Sequence, residues 1–234
     1  MNDNDDDAAE FAARREALKQ RINPLDRELL ADNPDRKRFF ETVYDTADGD
    51  PAAVPWADLA PKAELADWLA ANPGGGRTAV DIACGLGDNA EAIAAAGYRT
   101  MAFDLSDKAI GWARERFAGT AVDYRAANLL DLPADWPPAF DLVNECYTIQ
   151  SVPPPLHRRF SERIAALVAP GGRLLVYART RAENTDHDGP PWPLMPSEYD
   201  VFAEFGLVRQ RENLFVVERP DRRIAHVFSV WKRG

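Results

Sequence analysis

Cysteine and histidine are scarce in this chain. Its 234 residues include only Cys84 and Cys146, and only His157, His187 and His226. Two isolated cysteines supply neither a disulfide framework nor a zinc-ligand spacing, and the histidines are scattered, so no metal site is expected. Cationic charge is short as well: 28 Lys and Arg stand against 38 Asp and Glu, a net charge of -10, with no basic run. Nucleic-acid binding rests on neutralising phosphates, so DNA and structured RNA are not the expected partners. No apolar run approaches the length of a membrane span, and the start, with Asp3, Asp5, Asp6 and Asp7, is no signal peptide. The expectation is a cytoplasmic protein, monomer or homodimer, with no membrane partner. There is no internal repeat.

What is present suffices for a full core: 46% of the residues are hydrophobic. The chain divides into an N-terminal helical cover with an acidic leader, residues 1–72, and a sheet domain, residues 73–234. In the first part, helical spacing predicts a helix over Ala8 to Arg21, with Phe11, Arg15, Leu18 and Ile22 in register, broken at Pro24. Pro34 opens a second helix carrying Phe39, Phe40, Val43 and Tyr44. A loop over Ala47 to Pro55 leads to Trp56. A third helix starts at Pro61, runs through Leu65, Trp68 and Leu69, and closes at Asn72-Pro73-Gly74.

From Arg77 the pattern becomes alternating strand and helix. Strands are predicted at Thr78 to Ala83, Tyr98 to Asp104, Val122 to Ala126, Phe140 to Glu145 and Arg173 to Ala178. Helices fall at Asn89 to Ala96, from Ser106 to Phe117, at Leu156 to Val168 and at Pro196 to Phe205. Leu207 to Val217 and Ile224 to Trp231 suit a closing hairpin. This alternation implies an α/β fold, a mostly parallel, doubly wound sheet covered on both faces. Ligands of such sheets sit beyond the carboxyl ends of the strands, where strand order reverses. Asp81 to Gly87, Asp104, Asn128 and Glu145 to Gln150 all follow such ends and converge on one crevice.

The stretch Asp81-Ile82-Ala83-Cys84-Gly85-Leu86-Gly87 reads as strand, glycine turn and helix start, and Asp104 ends the next strand. Bare glycine backbone admits close approach of a ligand, and an acid at the second strand tip can accept both hydroxyls of a ribose. A nucleoside site follows. The same spacing fits a dinucleotide fingerprint. Asp81 and Asp88, however, make poor neighbours for a pyrophosphate, and no second domain to hold a hydride acceptor is expected after the sheet. A ligand with an ammonium group and no phosphate suits these acids better.

These residues, with Phe103-Asp104-Leu105-Ser106 and Pro170-Gly171-Gly172-Arg173-Leu174-Leu175, resemble the class I S-adenosylmethionine-dependent methyltransferases over Arg77 to Arg233. The resemblance implies a Rossmann-like, seven-stranded sheet with an antiparallel last strand. It implies S-adenosyl-L-methionine as cofactor and S-adenosyl-L-homocysteine as product. In it Gly85 and Gly87, with Ala83 and Cys84 in the same cofactor-binding turn, let the backbone pass close to the methionine and ribose portions. Asp81 orients that loop or meets the ammonium through water, Asp104 takes the ribose hydroxyls, Leu105 the adenine face, and Asn128 and Leu129 the adenine edge. Glu145 lies near the methionine end. Two positions depart from the family: Ala83 replaces the first glycine and Asn128 replaces an acid. A cofactor-binding module without catalysis stays open beside the enzyme.

For the acceptor, Glu145, Tyr147 and Gln150 follow strand four and are the catalytic candidates. Asn144-Glu145-Cys146-Tyr147 is not the Asn-Pro-Pro-Tyr signature of transfer to planar nitrogens. His157 is expected on a helix surface, and Cys84 and Cys146 as packed residues near the crevice. Phe40, Tyr44, Trp56, Tyr147 and Trp192 are expected to wall an apolar acceptor pocket, Trp56 also facing the sulfonium through cation–π contact. Trp56-Ala57-Asp58-Leu59-Ala60-Pro61 and Gly189-Pro190-Pro191 are similar to the thiopurine and small-thiol methyltransferase branch. That similarity implies a thiol acceptor, with O- or N-methylation of a small aromatic metabolite as the alternative.

Overall fold

The computed structural model describes residues 10–11, 13–15, 18, 36–136, 139–219 and 222–234. The acidic leader, the break at Pro24 and the helix start at Pro34 lie outside the described residues. Among them, no helix is long and apolar enough to cross a membrane, and no group of His, Cys, Asp and Glu is placed to hold a metal.

Helix α1 (Lys37–Ala47) and α2 (Ala63–Ala71) precede the sheet domain. Then follow β1 (Thr78–Ile82), α3 (Asp88–Ala95), β2 (Arg99–Asp104), α4 (Asp107–Arg116), β3 (Asp123–Ala126) and β4 (Phe140–Cys146). The rest is α5 (Pro154–Ala166), β5 (Val168–Arg179), α6 (Pro196–Asp200), β6 (Leu207–Arg219) and β7 (Arg222–Arg233). The sheet has seven strands in the order β3-β2-β1-β4-β5-β7-β6. β7 runs antiparallel to both neighbours, and the remaining pairs are parallel. Strand order reverses between β1 and β4, which opens the crevice there.

Burial on both faces explains the apolar strands. Val80, Ile82, Phe103, Val143 and Val176 pack with Phe160, Ile164 and Trp231 on one face. Ala79, Leu142 and Leu175 pack with Leu65, Trp68 and Ile93 on the other. Helix α4 starts at Ser106, whose Oγ accepts the Ala109 N–H at 3.1 Å, because the first-turn donors otherwise lack partners.

Local departures from the sequence pattern have physical causes. Pro170-Gly171-Gly172 is not a turn before β5 but an irregular part of it, because Val168 already pairs with Phe140 before the register shifts. Pro196 to Phe205 is a short α-helix that tightens into a 3-10 turn at Val201–Phe205. The Ala47 to Pro55 loop contains a 3-10 turn at Pro51–Ala53, started by Asp50 accepting the Ala52 N–H. His157 is buried rather than on a surface: Glu198 lies 2.6 Å from its Nδ1 and the Val152 carbonyl 2.9 Å from Nε2, which ties α5 to α6.

Gly87 begins α3 at φ +93, and a Cβ there would stand 2.4 Å from Tyr124 Oη on β3. The packing of the glycine turn against β3 therefore requires the missing side chain. Gly87→Ala is expected to lower unfolding stability by about 2–4 kcal/mol, combining left-handed backbone strain with overpacking. Tyr124→Phe in the same background should recover part of it. Urea denaturation of the three proteins checks both.

Candidate functional site

At the carboxyl ends of β1, β2 and β4 lies a cavity of about 260 Å³. Its floor is the β1 tip and glycine turn: Asp81, Ala83, Cys84 and Gly85 all reach it. The β2 end supplies Asp104 and Leu105, and the loop after β3 supplies Asn128 and Leu129. From the β4 end come Tyr147 and Gln150, and from the N-terminal part Phe40, Tyr44 and Trp56.

The aromatic residues are linked to one another. Trp56 Nε1–H donates to Tyr44 Oη at 3.0 Å, and the Phe40 and Trp56 rings meet edge to face at 5.5 Å. Helix α1 and the loop carrying Trp56 thus lie over the glycine turn. A Cβ on Gly85 would come within 3.5 Å of Tyr44 Oη and 3.7 Å of Trp56.

Asp104 is held by backbone donors. Gly85 N–H reaches its Oδ2 at 3.0 Å and Ser106 N–H its Oδ1 at 2.9 Å. Burial still pushes its carboxyl up to about 6. Asp81 accepts from Asn144 Nδ2 at 2.7 Å through Oδ1, while its buried Oδ2 has no hydrogen bond. Burial, then the neighbouring Asp104 and Asp88, push Asp81 up to about 7. Two buried carboxyls therefore stand ready to ionise against a cation.

Three expected site residues are not on the wall. Glu145 is fully buried and uses Oε1 to accept the Thr148 and Ile149 N–H groups at 2.8 and 3.1 Å, which shapes the chain after β4. Trp192 is buried behind the cavity, over the Arg36 guanidinium, and leaves the wall to Pro190 and Pro191. Gly87 faces Tyr124, as above. Gln150 is on the wall, but its Oε1 accepts the Arg179 N–H at 2.6 Å, a bond that joins the turn after β4 to the end of β5. The two cysteines line the cavity as neutral thiols: burial raises both, Cys146 to about 12.

Tyr147 sits at φ +66, a strained conformation for a non-glycine residue and one that collects at functional sites. Its hydroxyl is 2.8 Å from His226 Nε2. His226 Nδ1 is 2.8 Å from the Ile224 carbonyl, which only accepts, so Nδ1 carries the proton and Nε2 accepts from Tyr147. Burial pushes His226 down to about 4, so this ring is neutral at ordinary pH.

Sequence reasoning missed the basic side of the cavity. Arg36, Lys62, Arg179 and Arg219 line it. Lys62 lies 4.8 Å from the Tyr147 ring centre and pairs with Asp58, which also accepts from Arg15 at 2.7 Å. These two cations hold the Asp58 carboxyl down at about 2. The signal in the sequence was faint: Arg179 and Arg219 stand at strand ends, far apart along the chain, and no basic run marks them.

Residues 79–172 match the family model described as a methyltransferase domain. The chain is 33% identical over 149 residues to a ubiquinone biosynthesis O-methyltransferase of Aromatoleum aromaticum, covering 62% of each chain. It therefore spans under two thirds of that relative's length. The fold is similar to a structure described under the conversion of a disulfide bond into a thioacetal group during echinomycin biosynthesis: TM-score 0.62, 19% identity, 76% of this chain and 85% of that one. It is also similar to magnesium protoporphyrin IX methyltransferase from Synechocystis PCC 6803 with bound S-adenosylhomocysteine. There the TM-score is 0.59, with 17% identity, 73% of this chain and 80% of that one.

The buried carboxyls have a consequence for stability. Asp81, Asp104 and Glu145 all titrate higher when folded than unfolded, near 7, 6 and 7. The folded state then binds more protons than the unfolded state between those values and about 4. These groups make stability rise as pH falls through that window. The ligand-free protein should melt at a higher temperature near pH 6 than near pH 8, which scanning calorimetry in low salt checks. Asp81→Asn should flatten the dependence.

Proposed function

We infer the activity of this chain from the match of residues 79–172 to the methyltransferase-domain model: it transfers a methyl group from S-adenosylmethionine to a small molecule, and the accepting atom is an oxygen on a small aromatic compound. The carrying observation is the Asp104 carboxylate, pinned by Gly85 N–H beside bare backbone, one strand from the strand-order switch and under an aromatic roof. The similar Aromatoleum protein is named for O-methylation, which favours oxygen over the sulfur expected from the sequence.

The cofactor fits this wall on observed grounds. Asp104 keeps lone pairs beyond its two backbone bonds for vicinal hydroxyls. The unpartnered Asp81 Oδ2 lacks a donor that an ammonium group supplies, directly or through water. Leu105 and Leu129 give apolar surface beside Asn128, whose Oδ1 also accepts the Leu130 N–H. Bound there, S-adenosylmethionine supplies an electrophilic methyl on a sulfonium.

The chain's own contribution is alignment and exclusion of water. Methyl transfer is an in-line displacement, for which orientation supplies much of the acceleration. Tyr44, Trp56 and Phe40 roof the crevice, and the segment that carries them, from Arg36 to Trp56, acts as its cover. Asp81 and Asp104 present negative charge to the cationic donor. Tyr147 donates to His226, and its oxygen lone pairs remain to accept a hydrogen bond from an acceptor hydroxyl. Neither thiol nor Glu145 serves as base, since the thiols stay protonated and Glu145 is away from the wall.

Two measurements test this reading. Asp104→Ala should weaken S-adenosylhomocysteine binding by about 10- to 100-fold, the loss of one or more charge-assisted hydrogen bonds, by calorimetry against wild type. With labelled methyl donor, wild type should methylate members of a phenol and catechol panel. Turnover of thiols alone would reassign the acceptor atom to sulfur, and S-adenosylhomocysteine binding without turnover of any panel or metabolite extract would leave a binding module.

A further inference from the structure

The charged residues of the crevice are largely sorted by sign, Asp58 among the cations being the exception. Asp81, Asp88 and Asp104 lie on the β1 and β2 side. Arg179 ends β5, Arg219 ends β6, and Lys62 stands beside Tyr147 and Cys146 at the end of β4. From β2 to β5 is three strand spacings, about 14 Å. This separation exceeds a hydrogen bond many times over, so the two groups of charges serve different ligand ends.

Among the described residues the basic group is short of counter-charge. Arg15 and Lys62 already share the Asp58 carboxylate, and Arg219 stands 3.9 Å from it. Arg179 has a buried Nε without a hydrogen bond, and among the described residues no carboxylate pairs with it. Burial and the Arg222 and Arg219 charges push its guanidinium down, while Tyr147, whose ring centre is 5.9 Å from the guanidinium carbon, acts in the opposite direction. Arg179, Lys62 and Arg219, after burial, hold His226 low. In a chain of net charge -10, a cavity wall with uncompensated guanidinium calls for an anion from outside.

We propose that the methyl acceptor is itself an anion, an aryl carboxylate whose carboxylate docks on Arg179 and Arg219 beside Lys62, across the crevice from Asp104. The proposal rests on the methyl-transfer reading and narrows its substrate class. A cationic donor on the acidic side and an anionic acceptor on the basic side then bind in one orientation only, with like charges apart. Guanidinium suits the task, since its fork of donors matches a carboxylate and never loses its charge. The shared chemistry is carboxylate recognition, and the other carboxylate in reach is that of the donor's methionine portion.

The experiment measures binding to wild type saturated with S-adenosylhomocysteine. The probes are 4-hydroxybenzoate and 3,4-dihydroxybenzoate, each against its carboxamide. We expect at least one acid to bind about tenfold or more tightly than its amide, less so at high salt. Arg179→Gln and Arg219→Gln should each remove most of that preference, with S-adenosylhomocysteine affinity within about twofold of wild type. That unchanged affinity also reports a folded site. Acids and amides that bind alike, or fail to bind, overturn the proposal. So does an Arg179→Gln protein whose main loss is in S-adenosylhomocysteine affinity, which assigns the cations to the donor's carboxylate. Wild type that fails to bind S-adenosylhomocysteine at all is the separate outcome that removes the methyl-transfer reading.

Discussion

The carboxylate of Asp104 joins three parts of the molecule at one point. Its two oxygens accept the N–H of Gly85 from the turn after β1 and the N–H of Ser106 from the start of α4. Through Ser106 Oγ the same junction caps α4. The second-strand tip, the glycine turn and a helix start are thus fixed relative to one another before any ligand arrives. The cost is burial of the carboxyl, visible in its raised titration. A carboxylate so placed binds a hydroxyl pair with little reorganisation, which is the condition for tight, oriented binding.

The three buried carboxyls near the crevice illustrate how one residue type takes different roles by position. Asp104 faces the cavity and keeps free acceptor capacity. Asp81 faces it with one oxygen bound to Asn144 and the other unpartnered. Glu145, one strand over, turns inward and organises the chain that carries Tyr147, Thr148 and Gln150 to the wall. All three are raised by desolvation, so the raised titration alone does not distinguish a ligand-facing group from a structural one.

Much of the fold was legible. Alternating strand and helix from Thr78 onward gave the parallel sheet, because strands buried on both faces must be continuously apolar. The β1 glycine turn and Asp104 were found because backbone approach and helix capping demand particular residues at fixed spacing. Ala83, the departure from the family pattern, occupies φ +52, a left-handed position that costs a residue with a Cβ about 1–2 kcal/mol. Trp192 illustrates the limit of such reading: a tryptophan on a loop suggests a wall, yet the cis peptides at Gly189-Pro190 and Pro190-Pro191 accompany two prolines on the wall and the indole behind them.

By itself, then, the sequence determined the element types, the order of the motifs and the acidic half of the crevice, because these depend on local spacing and backbone geometry. Only the tertiary structure decided which side chains stand at the wall and which behind it. It alone brought Arg179 and Arg219 to the cavity that also holds Lys62. These residues are more than a hundred positions from Lys62, and nothing local records that β5 and the hairpin strand β6 end at the same crevice. Their excess of positive charge over the single Asp58 carboxylate comes from the strand order, which sets them together after folding.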